Sequence, residues 1–188
     1  MRIRVVVVVL AVLAGSLAVS TAGAQAASAK GPASCADAKL TPSSSHSAKL
    51  RTSTRCIVNA MRAQRGLRAL TYHALLQTIA QRHCSYMLRR QVFTHQDAAG
   101  RGVARRAIAN RYTARTRKFD VGEVLAFGAN GGDTPIGIQD NWLRSTAHRA
   151  LLFSRLFRDI GVGVSFGSPL PNPFARTSAT YCVVVGVR

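Results

Sequence analysis

The chain has 188 residues, 26 Lys+Arg against 7 Asp+Glu, a formal charge of +19, and 47% hydrophobic residues. Apolar content near the globular average, with only 18% charged residues, excludes a mostly disordered chain, and the length fits one domain better than two. The positive charge is therefore a property of a folded surface.

The N-terminus sets the compartment. Met1-Arg2-Ile3-Arg4 is a short basic start, Val5 to Leu13 is a continuous apolar run, and Ala24-Gln25-Ala26 places small residues where a signal peptidase reads. This pattern predicts a secretory signal peptide over residues 1–26, cleaved near Ala26. A membrane anchor is the competing reading, but the run is too short to span about 30 Å of hydrocarbon. The processed chain is expected to be secreted and not integral to a membrane.

Residues 27–48 are rich in Ala, Ser, Lys and Pro without sustained periodicity and read as a leader segment. From Leu50 the spacing of Leu50, Ile57, Val58 and Met61 predicts a helix that Gly66 can cap in the left-handed conformation. Thr71 is the expected cap of a second helix, carried by Leu75, Leu76, Ile79, His83, Met87 and Leu88 to about Arg90. Gln96 to Gly100 reads as a turn, Val103 to Arg111 as a short basic helix, and the arginine-rich stretch to Lys118 as mobile. Val121 to Phe127 suits a buried strand or extended loop, and Gly131-Gly132 turns the chain. Thr134 followed by Pro135 starts a third main helix whose buried side holds Ile138, Trp142 and Leu143. Ile160 to Phe166 and Thr180 to Val187 are expected as central strands joined through residues 168–173. Helices first and strands last favour an α+β fold with helices packed on an antiparallel sheet.

Four cysteines permit three pairings, and export makes disulfides the default. The expected bridges are Cys35–Cys56, tying the leader to the first helix, and Cys84–Cys182, tying the second helix to the last strand. With no Cys-x-x-Cys pair, a zinc site built from cysteines is disfavoured.

Five stretches in order carry a resemblance: Cys56-Ile57-Val58-Asn59 with Arg65-Gly66-Leu67-Arg68-Ala69-Leu70; Phe93-Thr94-His95; Gly122-Glu123; Trp142-Leu143-Arg144-Ser145 running into Ala147-His148-Arg149; and Phe157-Arg158-Asp159-Ile160-Gly161-Val162-Gly163. The chain resembles the CAP superfamily, or SCP domain, of cysteine-rich secretory, antigen 5 and pathogenesis-related 1 proteins, in its compact bacterial form, over about residues 50–187. The resemblance implies a three-layer α-β-α sandwich with a central, mainly antiparallel sheet, forming a domain over residues 49–188. It also implies a cleft where His95, Glu123 and His148 converge, with Ser145 at the fourth position and Trp142 near the wall. Two departures stand out: Val124 replaces the usual Asn after Gly-Glu, and Thr146-Ala147 replaces Pro-Gly before His148-Arg149.

Glu123 is the chain's only glutamate. Two imidazoles with one carboxylate suit Zn²⁺ or another divalent cation, with His95 and His148 as the metal-ligand candidates. Three roles for the trio stay open: a structural or ligand-orienting network, a metal site, and general acid/base work by Glu123. Ser145 is either a nucleophile candidate three residues before His148 or a helix cap. His83 and Phe93 read as core residues, and His46 as exposed. The resemblance suggests a lipid, a sterol-like molecule or carbohydrate as ligand, and the basic run Arg101, Arg105, Arg106, Arg111, Arg115, Arg117 and Lys118 suggests an anionic cell-wall polymer or lipid headgroups as partner, without specific nucleic-acid recognition. The function expected is an extracellular binding or interaction module; the alternative is a metal-dependent hydrolase using a zinc-bound water.

Overall fold

A computed structural model describes residues 31–188 apart from 115, 117 and 173. The signal-peptide reading, the first four leader residues, Arg115 and Arg117 lie outside the described residues. Nine elements follow two short 3-10 turns: α1 (Ser47–Ala63), β1 (Thr71–Tyr72), α2 (Ala74–Arg90), α3 (Val103–Ala109), β2 (Asp120–Ala129), α4 (Pro135–Arg144), α5 (Thr146–Leu152), β3 (Asp159–Phe166) and β4 (Ser178–Val187). The strands lie in the order β1-β3-β4-β2, parallel between β1 and β3 and antiparallel elsewhere.

Side chains alternate across a strand, so β2 and β4 each feed two cores. Val124, Ala126, Ile160, Val162, Tyr181 and Val183 pack against Leu50, Ile57 and Met61 of α1, Ile138 and Trp142 of α4 and Leu152 of α5. On the opposite face Leu125, Cys182 and Val184 meet Leu76, Ile79, Ala80 and Met87 of α2, Ala107 of α3 and Tyr112. The result is the expected α-β-α sandwich.

The Ile-Gly-Val-Gly-Val alternation of β3 has a steric cause. A Cβ on Gly161 would stand 2.0 Å from Gln77 N, and one on Gly163 would stand 2.5 Å from the Ala80 carbonyl carbon, so the two glycines let α2 lie directly on the sheet. Gly122 does the same on the other face, where a Cβ would meet Leu151 of α5 at 2.6 Å.

Helix ends follow local chemistry. Gly66, at φ +63°, closes α1 in a Schellman arrangement, with Gly66 N donating to Ala63 O and Leu67 N to Arg62 O, each at 3.0 Å. Thr134 Oγ1 accepts from Gly137 N at 3.2 Å and Pro135 opens α4, as expected. Both cysteine pairs form as expected: Cys35–Cys56 and Cys84–Cys182, with Cα atoms 5.9 and 5.8 Å apart.

Several local expectations change. Thr71 does not cap α2; Thr71 and Tyr72 pair in parallel with Asp159 and Ile160, and α2 begins at Ala74. That pairing is long-range, so propensity within the segment carries no sign of it. Leu75 is 38% exposed, off the buried stripe of α2, and Phe93 is 42% exposed, packed edge-on against Phe127 with ring centroids 5.1 Å apart. His46 is half-buried, its Nδ1 3.1 Å from Thr41 O. The leader is integrated: Cys35 and Ala38 are buried, and Ala38 O accepts from Ile136 N of α4.

Candidate functional site

Glu123 lies on the β2 face turned toward α2 and α3, one residue from Val124 on the other face. Its side chain is 1% exposed, and a carboxylate at that depth needs charged or hydrogen-bonding partners. Arg106, on the last turn of α3, supplies them. Its Nη2 donates to Oε1 at 2.9 Å, to Oε2 at 2.8 Å and, more weakly, to the His95 carbonyl at 3.2 Å.

His95 completes the pair into a triad. Its Nδ1 lies 2.9 Å from Glu123 Oε2, and because a carboxylate only accepts, Nδ1 carries the proton, which in the neutral ring leaves the lone pair on Nε2. The His95 side chain is 59% exposed, so the bonded edge of the ring turns inward and most of it meets solvent.

The backbone that carries His95 is fixed from below. α2 stops at Gln91, a left-handed residue at φ 51°. Beyond it, His83 Nε2 lies 2.7 Å from Thr94 O, to which it donates, and Arg106 holds the next carbonyl, that of His95. His83 itself is buried, 3.7 Å from Glu123 Oε2, with its ring parallel to Tyr86. Burial, and then the Arg106 and His95 charges, hold its pKa below the ordinary imidazole value against the opposing pull of Glu123. It is the core histidine expected from the sequence, but only half satisfied: Nε2 is bonded, while Nδ1 is buried without a hydrogen-bond partner among the described residues.

His148 reaches the neighbourhood on α5, which Gly122 allows close to β2. It makes no hydrogen bond to Glu123 among the described residues, and its Nδ1 is buried without a partner. Burial first, and then the charge of nearby His95, depress its pKa. Ser145 is the N-cap of α5, its Oγ accepting from His148 N at 3.4 Å while its own N–H closes α4 on Trp142 O. No imidazole is hydrogen-bonded to that hydroxyl among the described residues, and the cap is the bond it makes. Trp142 is fully buried in the α1/α4 core and offers no surface to a ligand.

No group of three or more His, Cys, Asp or Glu side chains among the described residues is arranged to hold a metal ion. The donors that remain for a cation are the two imidazoles, His95 Nε2 above all. Glu123 is the partner that orients one of them, in the manner of a carboxylate behind a ligating histidine.

The sequence motifs do not single out Arg106, because it sits in a run of arginines. The run does not act as one stripe: Arg101 pairs with Asp97 at 2.9 Å, while Arg106 turns inward. Beside the triad a cavity of about 250 Å³ opens between α2, α3 and the 97–101 turn, lined by the triad's Arg106 and by the neighbouring His83.

Comparisons with known proteins agree with this fold. The family model described as "CAP: Cysteine-rich secretory protein family" matches residues 57–185. No curated protein matches the chain. Among solved structures, an extracellular SCP-domain protein from Bacillus anthracis superposes with a TM-score of 0.56 at 18% identity, covering 73% of this chain and 41% of that one. An outer surface protein from Borrelia burgdorferi gives 0.53 at 18% identity, covering 71% and 89%. A cysteine-rich secretory protein from Staphylococcus aureus gives 0.55 at 14% identity, covering 78% and 40%. The chain thus spans about two fifths of the Bacillus and Staphylococcus proteins, and at these identities the likeness is one of fold. With the family model covering most of its length, the chain belongs to the CAP, or cysteine-rich secretory protein, family.

Proposed function

We propose that this protein is a secreted binding module whose cleft presents His95, with His148 beside it, to a small ligand or a divalent cation. Two disulfides fit an oxidising compartment, and the similar structures include proteins described as extracellular or outer-surface. The observation that carries the reading is the Arg106–Glu123–His95 chain. A buried carboxylate clamped by a guanidinium sets one tautomer of an exposed imidazole, leaving Nε2 as a ready acceptor or metal ligand. Lipid, sterol-like and carbohydrate molecules are the ligand classes suggested by family resemblance.

The same clamp argues against a hydrolase that uses Glu123 as general base. Both its oxygens already accept hydrogen bonds, and the side chain is sealed from solvent. A bound cation would supply Lewis acidity; His95 and His148 would hold it and Glu123 would orient His95.

Calorimetric titration with Zn²⁺ tests the reading on wild type, His95→Ala and His148→Ala. One saturable site, weakened by at least about tenfold in each variant, supports the two-imidazole cleft. Equal binding by all three places the metal elsewhere. No heat in the wild type removes the cation reading and leaves the small-ligand one, for which chemical shifts of His95 on adding candidate ligands are the assay.

A further inference from the structure

A second charged feature lies away from the His95 cleft, where the end of α1 meets the loop between α5 and β3. A depression of about 300 Å³ is lined by Arg62, Gly66, Leu67, Arg68, Arg155 and Arg158, so four of its six residues are arginines and none is acidic. Among the described residues, none of the four forms an ion pair with an Asp or Glu. Elsewhere the chain treats a buried guanidinium differently: Arg106 has Glu123.

Arg62 is the decisive member. It is 1% exposed, yet its charge meets only carbonyls. Nε donates to Arg68 O at 2.9 Å, and Nη1 donates to Leu152 O at 2.6 Å and Ser154 O at 3.0 Å. Nη2 has no partner among the described residues and is not sealed from solvent. Burial, and then the charge of Arg158, push Arg62 below its ordinary range, which is the cost of gathering cations with no counter-charge.

The surroundings are held in place. The Schellman turn at Gly66 sets the wall carrying Leu67 and Arg68. Arg158 Nη1 donates to Leu156 O at 3.1 Å and Phe157 O at 2.9 Å, fixing one guanidinium at the rim, while Arg155 and Arg68 are exposed. Several guanidinium groups lining one depression match an oxyanion with several acceptor oxygens, and a phosphate group offers the charge and the oxygens that such planar donors bind.

We propose that this four-arginine depression is a binding site for a phosphate group, separate from the His95 cleft. The ligand supplies the negative charge that Arg62, Arg68, Arg155 and Arg158 lack. The group can arrive as free phosphate or as a phosphodiester of a larger anionic molecule, and both share the oxygens that the arginines contact.

The test is an NMR titration of the full processed chain with inorganic phosphate and, separately, with glycerophosphoglycerol, a soluble phosphodiester, at constant ionic strength set with chloride. Saturable shifts confined to residues 62–68 and 154–158 are expected, and Arg155→Gln/Arg158→Gln should weaken affinity by at least about tenfold, as loss of a charge-assisted contact does. Arg155 and Arg158 are exposed, and Arg89→Gln/Arg90→Gln, two exposed arginines at the end of α2 outside the depression, removes the same charge elsewhere and should leave affinity unchanged. Tighter binding of the diester identifies a phosphodiester polymer or headgroup as the source, and tighter binding of inorganic phosphate identifies a free anion. Equal weakening by the two double variants would reduce the effect to net charge, and absence of saturable shifts with either probe would overturn the site. Neither result bears on Zn²⁺ binding at His95.

Discussion

Arg106 and Glu123 meet across the packing of α3 on β2, guanidinium Nη2 2.9 and 2.8 Å from the two carboxylate oxygens, with neither side chain more than 6% exposed. Removing one partner of such a pair strands the other charge in the interior, at a typical cost of about 3–5 kcal/mol. Arg106→Met should lower the unfolding free energy measured in urea by that order, and Arg106→Met/Glu123→Leu should recover a substantial part of it. A single variant as stable as wild type would show that the pair is solvated in solution.

Gly163→Ala tests how α2 sits on the sheet. The added methyl would come within 2.5 Å of backbone atoms of Ala80 and Gln81, which cannot rotate away. Overpacking of this kind costs about 1–3 kcal/mol. Urea unfolding should show that loss, and an unchanged midpoint would mean that α2 stands further from β3.

These two relationships differ in how much of them the sequence discloses. The glycine alternation of residues 160–164, the Thr134-Pro135 helix start and the cysteine pairing are visible because each is a local pattern or one of a few combinations. Arg106 is not, because nothing in a run of arginines says which one faces inward; that depends on where α3 lies over β2. β1 is only two residues long and exists through pairing with β3. α5 is hard to see because Ser145 both ends α4 and caps the next helix, so one serine separates two short elements. His95, Glu123 and His148 are legible as motifs, whereas their unequal roles emerge only from which atoms meet.

Stability should fall on acidification through the imidazole range. His83 faces Glu123, Arg106, His95 and the Thr94 carbonyl, and its folded pKa is below 6.5, with burial the largest cause. His73, beside Asp159 and Arg188, shifts the same way for the same first reason. The unfolded chain therefore binds more protons below about pH 6.5, so stability is complete above that value and declines as pH falls toward the folded pKa. Melting temperatures measured from about pH 7.5 to about pH 5.5 should drop, and His83→Gln should flatten the slope. A flat wild-type profile would contradict the burial of these imidazoles.

The two disulfides should contribute unequally. Cys35–Cys56 closes a separation of 21 residues and Cys84–Cys182 one of 98. Loop-closure entropy assigns about 3 kcal/mol to the first and about 4.7 kcal/mol to the second. Cys35→Ser/Cys56→Ser should remain folded with a lower midpoint, whereas Cys84→Ser/Cys182→Ser, made inside the α2/β4 core, should lose more. The opposite ranking in urea unfolding would contradict this account.

The role assigned to Glu123 is read most directly from the ring ¹⁵N resonances of His95 at neutral pH. For the neutral ring the account predicts the tautomer protonated on Nδ1 with Nε2 bare, and loss of that tautomer preference in Glu123→Gln/Arg106→Met. A wild-type His95 protonated on Nε2, or one whose tautomer ignores the substitution, would show that the buried carboxylate does not orient the exposed ring.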